Sequence, residues 1–122
     1  MSIKSSFAAD AWARYDNPSK MGLGIELQDE RGGRIDSVAD PRNLLGPLLP
    51  APDDRILILL SAIDPYGDTV FNRIQMERFL SEWTSIASSC KTQEEKELVS
   101  KIASMALRCR DEVHLYLKFI GD

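Results

Sequence analysis

Asp64, Asp68 and Asn72 recur at every fourth residue of DPYGDTVFNR, the stretch from Asp64 to Arg73, and oxygen donors at such spacing belong to a calcium-binding loop. In a twelve-residue EF-hand they would fill the first, fifth and ninth positions, with Phe71 at the apolar eighth. The other positions depart from that pattern. Tyr66 stands at the third, Thr69 replaces the glycine of the sharp turn, and Gln75 replaces the bidentate glutamate. Because ligand number sets calcium affinity, a calcium-stabilised module built on Asp64 to Asn72 is an alternative reading, and no residue is assigned as a metal ligand.

Turn chemistry explains more of the same residues. Asp64 can accept a hydrogen bond from the N–H two residues on, and Pro65 fixes φ. Gly67 is expected to supply a positive φ, and Asp68 to repeat the role of Asp64. The bend then presents Asp64, Tyr66, Asp68 and Arg73 to solvent, and these four are the candidate partner-binding residues.

Other chemistry finds less support. The single histidine, His114, has no nucleophile motif beside it, and its position near a helix C-terminus suits the helix dipole. A Cys109–His114 pair would need a thiolate on an apolar helix face, where a thiol stays protonated. No catalytic residue is assigned, and a small enzyme acting through Asp64, Asp68 or His114 is the third reading. Two cysteines and one histidine fall short of a zinc cage. Gly22-Leu23-Gly24 and Arg31-Gly32-Gly33 lack the spacing of a phosphate-binding loop, so no cofactor is expected.

These residues belong to a chain of 122 amino acids with 43% hydrophobic and 28% charged residues, the composition of a globular domain. The formal charge of −4 and scattered Lys and Arg give no field for phosphate backbones, so nucleic acid is not expected as a direct partner, whereas the acidity would suit a basic protein without requiring one. The N-terminal residues carry no apolar signal region, and the longest strongly apolar stretch, Ile56 to Leu60, is too short to span a bilayer. A cytoplasmic protein without a membrane partner is expected. Cys90 and Cys109 should stay reduced and buried, since a helical hairpin would separate them by about 25 Å.

Residues 1–21 form an N-terminal arm and 22–122 a single α+β domain. Phe7, Trp12 and Tyr15 in the arm argue for docking, on the domain or on a second copy to give a homodimer. Leu23, Ile25 and Leu27 alternate with polar or small residues as in a strand wet on one face. Asp29 to Gly33 supplies a turn, and Arg34 to Val38 returns as its partner, with a bulge or an early strand end because Ile35 and Val38 differ in parity. Asp40-Pro41 should start a short helix that Gly46-Pro47 ends.

Arg55 to Leu60 shows no alternation and is read as a central strand entering the bend. Thr69 to Phe71 adds a short extended piece. Asn72 with Gln75, and Thr92 with Glu95, form capping boxes opening two helices, Ile74 to Cys90 and Gln93 to Val113. Met76, Phe79, Leu80, Trp83, Ile86 and Cys90 make the apolar stripe of the first, and Trp83 is read as core. Glu97 and Lys101 are spaced for an outer-face ion pair. Leu115, Leu117 and Phe119 alternate in a terminal strand. The fold expected is an antiparallel or mixed sheet of about four strands, with two long antiparallel helices on one face.

DPYGDTVFNRIQM and the closing RCRDEVHLYLKFIGD resemble signatures of a family of small bacterial proteins of uncharacterised activity, a likeness covering the chain from Met21 onward. It implies neither an activity nor a ligand. In size, acidity and α+β pattern the chain also resembles the immunity proteins encoded beside secreted toxins. Composition, motifs and resemblance together lead to a non-catalytic partner-binding domain, of the immunity type if the partner is a basic toxin.

Overall fold

The computed structural model describes residues 22–121, so the arm at 1–21 lies outside the described residues. Among the described residues four strands form one antiparallel sheet: β1 (Gly24–Asp29), β2 (Arg34–Ala39), β3 (Asp68–Asn72) and β4 (Leu115–Ile120). Their order is β2-β1-β4-β3, so β4 is central and, among the described residues, β2 and β3 are the edges. A helical turn α1 (Ile58–Ser61) and the helices α2 (Met76–Ser89) and α3 (Gln93–Asp111) complete the fold. Ile25, Leu27, Leu115, Leu117 and Phe119 on the sheet are buried with Phe79, Trp83, Ile102 and Cys109 of the long helices.

The β1–β2 hairpin follows from its turn residues. Asp29 Oδ1 accepts from the backbone N–H groups of Arg31 and Gly33, and Gly32 takes a positive φ of 81° that a side chain would resist. The expected bulge lies between Leu27 and Gln28, where the register against β2 shifts. Both capping boxes form. Asn72 accepts from the Gln75 N–H and Thr92 from the Glu95 N–H, each reciprocated by the partner side chain.

Trp83 is 2% exposed and donates its indole N–H to the Val99 carbonyl at 3.0 Å, tying α2 to α3. Its ring stacks on Phe79 with centroids 5.2 Å apart, and Phe71 meets Phe119 edge-on at 5.9 Å. Cys109 is buried and Cys90 partly so, both as free thiols. Burial pushes the Cys109 thiol up to about 11, which keeps it protonated and able to donate to the Leu115 carbonyl.

Three expectations are corrected. Ile56 to Leu60 is not a central strand: Leu57, Leu60 and Ile63 turn inward at a spacing of three, while Ile56 is 80% and Ile58 50% exposed. Two carboxylates impose the helical turn. Asp54 Oδ1 accepts from the Ile56 and Leu57 N–H groups. Glu82 of α2, only 4% exposed, accepts from Leu60 at 3.0 Å and Leu59 at 3.3 Å and pairs with Arg78 at 2.8 Å.

Asp40-Pro41 opens a compact loop, not a helix. The buried Asp40 carboxylate accepts from the Leu44 and Leu45 N–H groups at 2.8 Å each, the satisfaction a buried charge requires. Lys101 reaches across to Asp36 of β2 at 2.8 Å instead of pairing with Glu97.

Candidate functional site

The bend before β3 is a turn locked to the far end of the chain. Asp64 Oδ1 accepts from the Tyr66 N–H at 2.9 Å, as the sequence leads one to expect, and the Asp64 N–H donates to Thr69 Oγ1 at 2.9 Å. Gly67, however, does not adopt a positive φ, since Gly32 is the only glycine among the described residues that does. A Cβ there would meet Asp64 Oδ2 at 2.8 Å, so a larger residue would have to push aside the carboxylate that holds the turn. Gly121 packs against the same turn, where a Cβ would stand 2.6 Å from the Gly67 backbone, and its N–H donates to the Gly67 carbonyl at 2.7 Å. DPYGD and the closing Ile120-Gly121 are therefore one structural unit.

The candidate residues spread along this unit and the strand it feeds. Tyr66 is 64% exposed at the turn. Asp68 does not repeat the Asp64 turn, and instead lies 3.4 Å from Lys118 Nζ of the neighbouring strand, where Val70 pairs with Lys118 in register. Arg73, after β3, donates through Nε to the Arg110 carbonyl at 3.2 Å and so satisfies an end of α3. The four residues thus occupy opposite ends of β3 and do not converge on one pocket.

Asp64, Asp68 and Asn72 likewise serve different partners: the Tyr66 N–H, Lys118 and the Gln75 N–H. Among the described residues no group of three or more His, Cys, Asp or Glu comes together. His114 lies at the opposite end of the sheet from the bend, with a positive φ of 64° and Nδ1 3.1 Å from Glu30 Oε1. A cleft of about 390 Å³ opens between Leu23, Pro47, Leu49, Pro52, Ile63 and Pro65. Another of about 270 Å³ lies between the end of β2 and the start of α3. Neither is walled by Asp64, Asp68 or His114.

Two features of this region escape sequence reasoning. Val70 of β3, 53% exposed, and Ile74 in the 3₁₀ turn Arg73–Gln75 that follows it, 86% exposed, continue at steps of four residues the apolar surface that Tyr66 begins in the turn before the strand. Their signal was present in the two-residue alternation of Asp68, Val70 and Asn72, which places Val70 on the face away from the helices. The second is the backbone of β3. The Gly121 to Gly67 bond fixes the ladder phase, so Thr69 and Phe71 bond to β4, Asp68 and Val70 direct their N–H and C=O groups outward, and Asn72 does so with its N–H alone, because its C=O opens the 3₁₀ turn Arg73–Gln75. Gln75 confirms that direction by reaching the outward Asn72 N–H at 2.8 Å.

Charge on the edge is compensated, by Lys118 beside Asp68 and by the Arg110 carbonyl at Arg73. Among the described residues, no helix is long and apolar enough to cross a membrane. Compared with known proteins, the chain matches no protein-family model, no curated protein and no solved structure.

Proposed function

We propose that this protein is a non-catalytic protein-binding domain whose contact surface runs from the bend at Asp64 along the β3 edge to Ile74. The supporting observation is the set Tyr66, Val70 and Ile74, each more than half exposed, with Val70 on the edge strand and the other two in the turns that precede and follow it. Apolar groups aligned on a rigid support lose little entropy on binding and gain the burial that single scattered residues do not. Asp64 and Gly67 hold the turn, Asp68 and Arg73 flank the set, and all four shape the surface. Because the flanking charges already have partners, recognition rests on apolar contact and backbone pairing more than on a basic partner's charge.

A photo-crosslinking residue at position 74 tests this in cells producing the protein. It should form protein adducts that the same group at exposed Ser104 of α3 does not. Equal yields at the two positions would contradict the proposal. Tyr66→Ala and Asp68→Ala should reduce adduct formation from position 74 while leaving the melting temperature nearly unchanged. If they abolish folding instead, the bend is scaffold alone.

A further inference from the structure

The β3 edge is self-complementary, and we propose that it pairs antiparallel with the β3 edge of a second copy, joining two four-stranded sheets into one. The inference rests on reading this edge as a protein-contact surface and names what binds there. Its geometry begins with Val70, the middle of the five residues of β3, whose N–H and C=O both point outward. A two-fold axis at Val70 makes these two groups exchange bonds with their equivalents in the other copy.

The same axis sets Asp68 opposite Asn72 and Val70 on Val70, at the distance at which cross-strand pairs stabilise a sheet, and brings the exposed Ile74 of the following 3₁₀ turn to the rim of the contact. No acid faces an acid, since Asp68 meets a neutral amide and has Lys118 beside it. The Asn72 N–H is already bonded to Gln75 Oε1 and its carbonyl opens the 3₁₀ turn Arg73–Gln75, so the ladder ends there. Two main-chain bonds result, both at Val70. An isologous contact of this kind closes on itself and leaves the β2 edges outermost.

The β2 edge does not offer the same surface. A bulge interrupts it, the Ser37 N–H is bonded by the Asp36 carboxylate at 2.8 Å, and Asp36 is held by Lys101. Bulges and inward charges are the devices by which edge strands are kept from pairing.

Sedimentation velocity on the full chain, from micromolar to several hundred micromolar, tests the proposal. A five-residue contact is small, so a concentration-dependent dimer is expected at the upper end. Val70→Pro removes only an outward N–H, which edge strands tolerate, and should give a monomer with an unchanged circular dichroism spectrum. Val70→Lys is the second variant should proline disturb the strand, and it should raise the dimer dissociation constant at least about tenfold.

Val70→Cys should oxidise to a disulfide-linked dimer, because bonded antiparallel neighbours place their Cα atoms about 5.5 Å apart, within disulfide reach. Exposed Thr84→Cys should not. A wild type that stays monomeric throughout, or a dimer that survives in folded Val70→Lys, overturns the second-copy proposal. Adducts from position 74 to a different protein, with the wild type monomeric, would overturn it while leaving the protein-binding reading intact.

Discussion

The two edges of the sheet are built oppositely. At β2 a bulge, a side-chain bond to the Ser37 N–H and the Asp36–Lys101 ion pair all discourage another strand. At β3 the outward groups of Asp68 and Val70 lie between exposed apolar residues, on a strand braced by the bend and by Gly121. Edges left open in this way are prone to pair with other chains, and most proteins blunt them. Blunting one edge and leaving the other open gives the sheet a single direction in which to accept a strand.

The glycines that fasten the loops beside each edge provide the strongest way to break this contrast. A Cβ on Gly22 would stand 1.6 Å from the backbone carbonyl oxygen of Asp40, the residue that follows β2. Gly22→Ala should therefore destabilise the protein by about 3–4 kcal/mol in urea titrations, since backbone on both sides must move. Gly121→Ala should cost about 2–3 kcal/mol by displacing the bend, and should weaken binding at β3 more than its stability effect explains. A Gly121→Ala protein of wild-type stability would show that the bend is not locked to the chain end.

Glu82→Ala comes next, at about 3 kcal/mol, because it strands the N–H groups of Leu59 and Leu60 and deprives Arg78 of its partner. Glu82→Gln should recover part of that loss by keeping an acceptor. If Glu82→Ala were neutral, the helical turn at Ile58–Ser61 would owe its form to something other than this carboxylate.

Acid titration probes the blunted edge. The hydrogen bond from Lys101, helped by the Ser37 N–H, lowers the Asp36 pKa below its usual 3.8. Its folded-state pKa lies below the unfolded one, so its stabilisation is complete above the unfolded value and is lost as pH falls through the folded value. Asp36→Asn should accordingly show a shallower loss of stability below pH 3.8 than the wild type, with the two curves running parallel at neutral pH. Identical acid limbs would mean that the ion pair contributes nothing to holding β2.

The smallest effect is expected for Lys118→Ala. Its pair with Asp68 is partly exposed, so folding should lose under about 1 kcal/mol. Uncompensated Asp68 charge at the β3 edge should nevertheless weaken association, which separates a role in binding from one in folding.

Local physics made part of this molecule legible in its sequence. Both capping boxes, the Asp29–Gly33 turn and the stripe of α2 depend on residues a few positions apart, and they form as expected. The apolar run at Ile56 to Leu60 was misleading because its conformation is set by Glu82, more than twenty residues on. The interior glutamate falls between Phe79 and Ile86 on the helical stripe, a sequence sign that a buried acceptor serves some other segment. At the bend, Asp64 was readable from its own turn, whereas the partner of Asp68 follows from pairing β3 with β4, fifty residues away. The open edge could not be read at all until strand order placed β3 at the margin of the sheet.

Amide hydrogen exchange at single-residue resolution, followed as a function of protein concentration, addresses the difference between the edges most directly. The Val70 N–H should exchange fast in dilute solution and become protected as concentration rises, while protection at Ser37 stays constant. Concentration-independent exchange at Val70, or protection gained at Ser37 instead, would contradict it.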